Sequence, residues 1–137
     1  MVKNIVRNDE LLKEVSTIAT TADLETANDL LDTLKFNRSR CVGLAANMIG
    51  VNKRIIAFID EKEKFVVMFN PKILKSEGEY DTYEGCLCRD VQLPTKRYQK
   101  IWLEYYNEKF QLRKKTFTGF VAQIIQHEID HCNGIII

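Results

Sequence analysis

Long apolar runs and an excess of charge of one sign are both missing from this sequence. No stretch of 18 apolar residues occurs, so no segment has the length that a membrane-spanning helix needs. The chain carries 20 basic and 19 acidic side chains, interspersed along its length, which excludes a broadly basic nucleic-acid-binding protein. Residues 1–9 have no apolar signal core, and we therefore expect a cytoplasmic protein.

Cysteine is present at only four positions: 41, 86, 88 and 132. In a reducing cytoplasm such cysteines are expected to be free thiols or metal ligands rather than disulfides. Cys86 and Cys88 are also too close in sequence to bridge easily. The 137 residues predict one domain spanning 1–137. A chain of this length needs no structural metal to fold, so any bound metal is expected to be functional.

Apolar periodicity predicts helices at both ends of the chain and strands between them. The first expected helix is 9–19, with Leu11, Leu12, Val15 and Ile18 at helical spacing, and the second is roughly 22–36, capped by Thr20 or Thr21. The last is Gly119–Asn133, ended by Gly134, and its expected buried side consists of Phe120, Val121, Ile124, Ile125 and Ile129. The expected strands are 54–59, 65–69, 100–106 and 110–117. Helices, then antiparallel strands, then one last helix predict an α+β fold.

The strongest chemical signal is His127-Glu128-Ile129-Asp130-His131. Two histidines four residues apart share one face of a helix, so their imidazoles can converge on one cation. The intervening Glu128 can accept a proton from a water molecule bound there. The competing interpretation is a pair of solvated or core histidines without a metal.

Two histidines alone do not complete a catalytic metal site, which typically has three protein ligands and an open position. Only six residues follow His131 (137 − 131), so the distant downstream ligand of many HExxH proteases is excluded. Cys132 points about 100° away around the helix. The third ligand is therefore expected upstream, and Cys86 of Glu84-Gly85-Cys86-Leu87-Cys88 is the candidate.

The alternatives for this upstream segment stay open. Cys86 is either a thiolate ligand, with Gly85 allowing close backbone approach, or a small buried residue in a strand. Cys88 lies on the same strand face as Cys86 and is either a rival ligand or a structural neighbour. Likewise, the uncharged segment 41–50 is either a buried turn or a wall along which a substrate runs.

Taken in order, the segments CVGLAANM, EGCLC and QHEIDH resemble the peptide deformylase family. The family pattern has a glycine-rich segment with two alanines and a glutamine, then Glu-Gly-Cys-Leu-Ser, then Gln-His-Glu-x-Asp-His. The resemblance spans about residues 1–137. It implies the family's fold, with N-terminal helices, antiparallel β-sheets and a C-terminal metal-binding helix.

The resemblance also implies roles for individual residues. Cys86, His127 and His131 would bind one divalent metal, Fe²⁺ in the cell and Zn²⁺ or Ni²⁺ in purified protein. Glu128 would be general base and then general acid, and the backbone N–H of Leu87 would help to hold the oxyanion.

The implied substrate is an N-formyl-methionyl peptide, carried by nascent chains at the ribosome. Val42 and Gly43 would line the extended peptide. Val42, Phe120 and Ile124 would form part of the methionine pocket.

The sequence departs from the family pattern at several positions. Met48 occupies the glutamine position and has no N–H to donate. Cys41 replaces the first glycine, Cys88 the serine, and Leu93 an arginine that often precedes the proline. Two functions remain open: a metallohydrolase of the deformylase type, with activity lowered by Met48, or a metal-containing peptide-binding protein with little turnover. Retention of Glu128, which the metal does not need as a ligand, favours the enzyme.

Overall fold

A computed structural model describes residues 1–137 and has one antiparallel sheet of five strands, in the order β1-β2-β3-β4-β5. The strands are β1 Gly43–Ala45, β2 Ile55–Ile59, β3 Phe65–Cys86, β4 Arg89–Tyr106 and β5 Leu112–Thr118. The α-helices are α1 Asp9–Leu12, α2 Leu24–Phe36 and α3 Gly119–Cys132, and short 3₁₀ helices cover Thr21–Asp23 and Ala46–Ile49. None of the helices is long and apolar enough to cross a membrane.

The sheet separates two apolar clusters because alternate residues of a strand point to opposite faces. On one face, Leu44, Ile55 and Phe69 pack in a cluster with Leu30 and Leu34 of α2. On the other face, Ala45, Ile56 and Met68 pack in a cluster with residues of α3, including Val121, Ile124 and Ile125. The α+β prediction is confirmed, with a single sheet between the helices.

The predicted helix 9–19 is wrong beyond its first turn. α1 ends at Leu12, and Val15 and Ile18 are exposed. The backbone after α1 makes hydrogen bonds to distant segments instead: Ser16 N–H donates to the Cys132 carbonyl and Thr17 N–H to the Asn52 carbonyl. β-branched residues and serine have modest helix propensity, so these tertiary hydrogen bonds prevail over the helical pattern.

The second helix begins as predicted. The Thr20 side chain caps the Thr21–Asp23 turn, and the Asp23 carboxylate accepts a hydrogen bond from the Thr20 backbone N–H. This reciprocal capping box leads directly into α2. Ala27, Leu30 and Leu34 are buried on its inner face, whereas Leu24 is exposed.

Strands β3 and β4 extend far beyond the predicted 65–69 and 100–106. They pair from Phe69 with Tyr106 to Cys86 with Arg89 and form a long hairpin. Outside its base the hairpin carries mainly polar, solvent-facing residues, so it lacks the apolar alternation that predicts strands. Its tight turn at Leu87–Cys88 brings the end of β3 against α3.

Helix α3 agrees with the prediction for 119–133. Val121, Ile124, Ile125 and Ile129 are buried as expected. Phe120 is the exception, because its side chain is 63% exposed. The buried residues pack α3 against the sheet. Its His127 and His131 side chains face the end of β3, where they contact Glu84 and Cys86.

Candidate active site

The two histidines of α3 face each other at the centre of the molecule. Their Nε2 atoms are 3.2 Å apart, and both side chains are buried. One turn of helix separates the residues, which is the spacing that stacks side chains on one face.

Cys86 reaches the same point from the end of β3. Its Sγ lies 3.4 Å from His131 Nε2. The donor atoms of His127, Glu128 and His131 lie within 4.8 Å of one another, and so do those of Cys86, Cys88 and His131. His131 is the member common to both sets, since its Nε2 lies 3.4 Å from Cys86 Sγ and 3.2 Å from His127 Nε2. A thiol and two imidazoles are a donor set that suits Zn²⁺ or Fe²⁺.

Cys88 follows Cys86 around the hairpin turn and is buried. Its Sγ shares a hydrogen bond with Cys86 Sγ over 3.2 Å. That hydrogen bond and burial raise the pKa of the Cys86 thiol. The protein groups alone therefore favour neutral Cys86, and a coordinated cation would supply the charge that makes it a thiolate.

Glu84 orients His127 from two residues before Cys86. Its Oε1 lies 2.8 Å from His127 Nδ1. The carboxylate also accepts hydrogen bonds from Arg97 Nη2 at 2.7 Å and Gln123 Nε2 at 2.9 Å. Arg97 Nη1 in turn donates to Asp130 over 2.7 Å, so one buried guanidinium joins β3, β4 and α3.

Burial and these partners set the charges of the polar groups. Burial opposes the charge on Glu84, but hydrogen bonds from His127, Arg97 and Gln123 lower its pKa to about 2. Burial also lowers the pKa of His127, but the Glu84 hydrogen bond and nearby carboxylates raise it overall. For His131, burial and the proximity of His127 lower the pKa to about 3. Its ring is therefore neutral at physiological pH and offers a lone pair, the form that a metal requires.

Glu128 is 3% exposed and has no cation partner. Burial raises the pKa of its carboxyl to about 7. Its Oε1 has no hydrogen-bond partner within the protein. A buried acid without a structural partner, titrating near neutrality beside two histidines, is suited to proton transfer.

Gly43 of β1 allows Glu128 to approach the sheet. A Cβ atom at this position would lie 2.8 Å from Glu128 Oε2 and 2.8 Å from Ile124 Cγ2, so these two side chains would have to shift to accommodate it. A Cβ at Gly85 would meet only Gln92 Cγ at 3.5 Å, an ordinary contact. The close approach expected at Gly85 is therefore found at Gly43 instead.

Met48 and its neighbour Asn47 lie in a 3₁₀ turn, not in an extended segment. Met48 is fully buried, in the same apolar cluster as Cys88, with Cys86 and Leu87 packed against that cluster. Asn47 Nδ2 donates to the His131 carbonyl over 2.9 Å. This amide fastens the turn to the end of α3.

A cavity of about 540 Å³ opens onto these residues. Its walls include all four of the proposed substrate-binding residues, Val42, Gly43, Phe120 and Ile124, and also Cys86, Leu87, His127 and Glu128. Met48 and His131 do not line it. The exposure of Phe120 is thus explained, because its ring lies at the mouth of the cavity with the exposed Tyr83 and Val91.

Arg97, Gln123 and Asn47 are the polar residues of this region that sequence reasoning missed. Gln123 precedes His127 by one helical turn, a signal that points to a shared face. Arg97 has no such signal, since it contacts Glu84 only through the pairing of β3 with β4.

A thiol, two imidazoles and a buried carboxylate beside one cavity, in an α+β protein, are the groups from which the site of a mononuclear metallohydrolase is built. The family model described as polypeptide deformylase matches residues 2–137. A peptide deformylase of Clostridium beijerinckii is 49% identical over the full length of both chains. One from Dictyoglomus thermophilum is 34% identical, with 98% of this chain and 80% of the relative covered. The chain belongs to the peptide deformylase family.

Solved structures agree with this assignment. A peptide deformylase from Legionella pneumophila superposes with a TM-score of 0.87 at 33% identity, covering 99% of this chain and 83% of that one. A class I type b peptide deformylase from Acinetobacter baumannii, bound to Met-Ala-Ser, gives 0.88 at 26% identity, covering 99% and 97%. The family resemblance and the expected fold are confirmed, and the binding-only alternative is not favoured.

Proposed function

We propose that this protein is a metal-dependent peptide deformylase acting in the cytoplasm on nascent chains at the ribosome. It adds water across the formyl amide of an N-formyl-methionyl peptide, releasing formate and a free α-amine. The observation that carries this proposal is the position of His131 Nε2, which lies 3.4 Å from Cys86 Sγ and 3.2 Å from His127 Nε2, in the same helix turn as the buried Glu128.

Cys86, His127 and His131 are the residues that would hold a divalent metal, Fe²⁺ in the cell or Zn²⁺ or Ni²⁺ in purified protein. Such a cation supplies Lewis acidity and lowers the pKa of a water molecule beside it. Glu84 keeps His127 Nδ1 occupied, so that Nε2 presents its lone pair to the site.

Glu128 moves the protons. Its carboxylate takes a proton from the attacking water and returns it to the amide nitrogen as the C–N bond breaks. A pKa of about 7, raised by burial, makes the group competent as base and then as acid near neutral pH.

The cavity fits a short extended peptide with an apolar first side chain. Val42 and Gly43 flank the peptide backbone, and Val42, Phe120 and Ile124 receive the methionine side chain. The relative from Acinetobacter baumannii was solved with Met-Ala-Ser bound, which is the product that deformylation of formyl-Met-Ala-Ser would leave.

Met48 is expected to lower turnover. The backbone N–H of Leu87 is the proposed oxyanion donor, and the family glutamine that would add a second donor is replaced. Loss of one such donor typically costs about 10²–10³ in kcat.

The test is formate release from formyl-Met-Ala-Ser by anaerobically purified, Fe²⁺-loaded protein. Acetyl-Met-Ala-Ser is the control substrate, because it keeps the amide but adds a methyl group at the reacting carbon. Glu128→Gln is the control protein, and we expect its kcat/KM to fall by about 10²–10⁴-fold with metal content unchanged.

Formate release that is abolished by a metal chelator and restored by Fe²⁺ would support the proposal. Fully metal-loaded protein that releases no formate would refute it, and tight binding of the intact formyl peptide by such protein would favour the binding function.

A further inference from the structure

Cys86 and Cys88 lie close enough to form a disulfide after a small shift, a property that metal binding does not use. Their Sγ atoms lie 3.2 Å apart across the turn between β3 and β4, and both thiols are free. A disulfide needs about 2.05 Å between the sulfurs, so a shift of about 1 Å within a two-residue turn would join them. The family pattern has serine where Cys88 stands.

The two thiols differ in their access to small molecules. Cys86 lines the cavity, whereas Cys88 does not and is only 3% exposed. A reagent entering the cavity therefore meets Cys86 first, with Cys88 directly behind it.

We propose that Cys88 is a resolving cysteine, which captures Cys86 as a disulfide when a hydroperoxide oxidises it. In the first step the Cys86 sulfur attacks one peroxide oxygen. With hydrogen peroxide as the oxidant, an S–O bond forms and the O–O bond breaks, which gives the sulfenic acid. The leaving hydroxide takes the proton of the Cys86 thiol, or a solvent proton where Cys86 is a thiolate, and departs as water. In the second step the Cys88 sulfur attacks the Cys86 sulfur. The S–S bond forms, the S–O bond breaks, and the oxygen leaves as a second water with the Cys88 proton.

The result is protection of Cys86 against further oxidation. Without a neighbouring thiol, a sulfenic acid proceeds to sulfinic and sulfonic acids, which dithiols do not reverse. A disulfide between residues two apart is strained, and strained disulfides are readily reduced. A dithiol reductant therefore returns both thiols, and Cys86 regains the form that binds metal.

The experiment uses Zn²⁺-loaded protein, because Zn²⁺ has no redox chemistry and the peroxide then reacts with sulfur alone. The protein is treated with hydrogen peroxide, then with or without dithiothreitol, alkylated, and digested with trypsin. Residues 76–89 form one tryptic peptide that contains Cys86 and Cys88, while Cys41 and Cys132 fall in others. This readout is independent of deformylase activity, so the inference stands or falls separately from the proposed function.

On oxidation, we expect the wild-type protein to release Zn²⁺ and its 76–89 peptide to be two hydrogens lighter. Dithiothreitol should restore both alkylatable thiols of that peptide. In Cys88→Ser we expect sulfinic and sulfonic acids at Cys86, with recoverable thiol lower by about tenfold. Cys41→Ser is the matched control, since it removes another thiol of the same cavity and should leave the 76–89 disulfide unchanged.

Two results would overturn the inference: wild-type Cys86 passing to sulfinic acid as fast as in Cys88→Ser, or a disulfide joining Cys86 to Cys41 or Cys132. Even if Cys88→Ser folds poorly, the inference is still tested, because the disulfide is detected directly in the 76–89 peptide of the wild type.

Discussion

The Oε1 atom of Glu84 and the Nδ1 atom of His127 lie 2.8 Å apart, although the residues are 43 positions apart in sequence. This hydrogen bond fixes the tautomer and the plane of the ring. A histidine held in this way pays less entropy when it binds a cation at its other nitrogen.

Glu84→Ala is therefore expected to weaken Zn²⁺ affinity by about 10–100-fold, measured by competition with a chromogenic chelator. Glu79→Ala is the control, because Glu79 lies on the same strand and its contacts to Lys96 and Tyr98 are exposed. Equal affinities in Glu84→Ala and wild type would show that the hydrogen bond does not assist metal binding.

Arg97 is expected to matter more for stability than for chemistry. It is 4% exposed and pairs with both Glu84 and Asp130. Arg97→Ala would leave two carboxylates without their cation, one of them buried, and should lower the free energy of unfolding by about 3–5 kcal/mol. Denaturant titration measures this loss.

Two further variants test whether the loss of stability in Arg97→Ala comes from the buried ion pair. Arg97→Lys should recover only part of the stability, since an ammonium cannot reproduce the bidentate contact with Glu84. Lys96→Ala removes an adjacent but exposed cation and should stay within about 0.5 kcal/mol of wild type. A similar loss in Lys96→Ala and Arg97→Ala would contradict the buried-pair explanation.

Gly43→Ala is expected to reduce kcat/KM by at least about tenfold and up to about 10²-fold, because the added methyl group would displace the Glu128 carboxylate. Gly85→Ala provides the comparison, since its Cβ would make only an ordinary contact with Gln92. Formate release by the two variants should differ clearly, and equal losses would show that the clash at Gly43 is relieved without cost.

Met48→Gln should raise kcat/KM by at least about tenfold once its amide turns from the apolar cluster that holds Met48 toward Leu87, where it would act mainly in the transition state. kcat should rise more than KM falls. Met68→Gln is the matched control: Met68 is also buried, but in the cluster on the opposite face of the sheet. If kcat/KM does not rise in Met48→Gln, the departure from the family pattern that limits activity lies at Cys88 or Leu93 instead.

The helical part of the site is predictable because it is local in sequence. His127, Glu128 and His131 share one turn of helix, so their spacing alone indicates their convergence. Arg97 was unpredictable because its contact with Glu84 depends on the register of a long hairpin. The polar strands of that hairpin give no apolar pattern, since outside its base much of it faces solvent.

The error in α1 has the same origin. Leu11, Leu12, Val15 and Ile18 have helical spacing, yet only Leu12 is buried. Hydrogen bonds from residues 16 and 17 to Cys132 and Asn52 decide the conformation there. The apolar periodicity of residues 9–19 does not report these partners, which are 35 or more residues away.

The separation of Cys86 from His131 by 45 positions couples the cation to the thermodynamics of folding. The unfolded chain offers no preassembled set of three ligands, so a divalent ion held by the proposed ligands would bind the native state preferentially and shift the equilibrium toward it. For a free ion concentration 100 times the Kd, the gain is about 2.7 kcal/mol. The melting temperature should therefore rise with metal concentration, and the rise should be smaller in Glu84→Ala. Thermal unfolding of this variant thus measures its weaker metal binding without an activity assay.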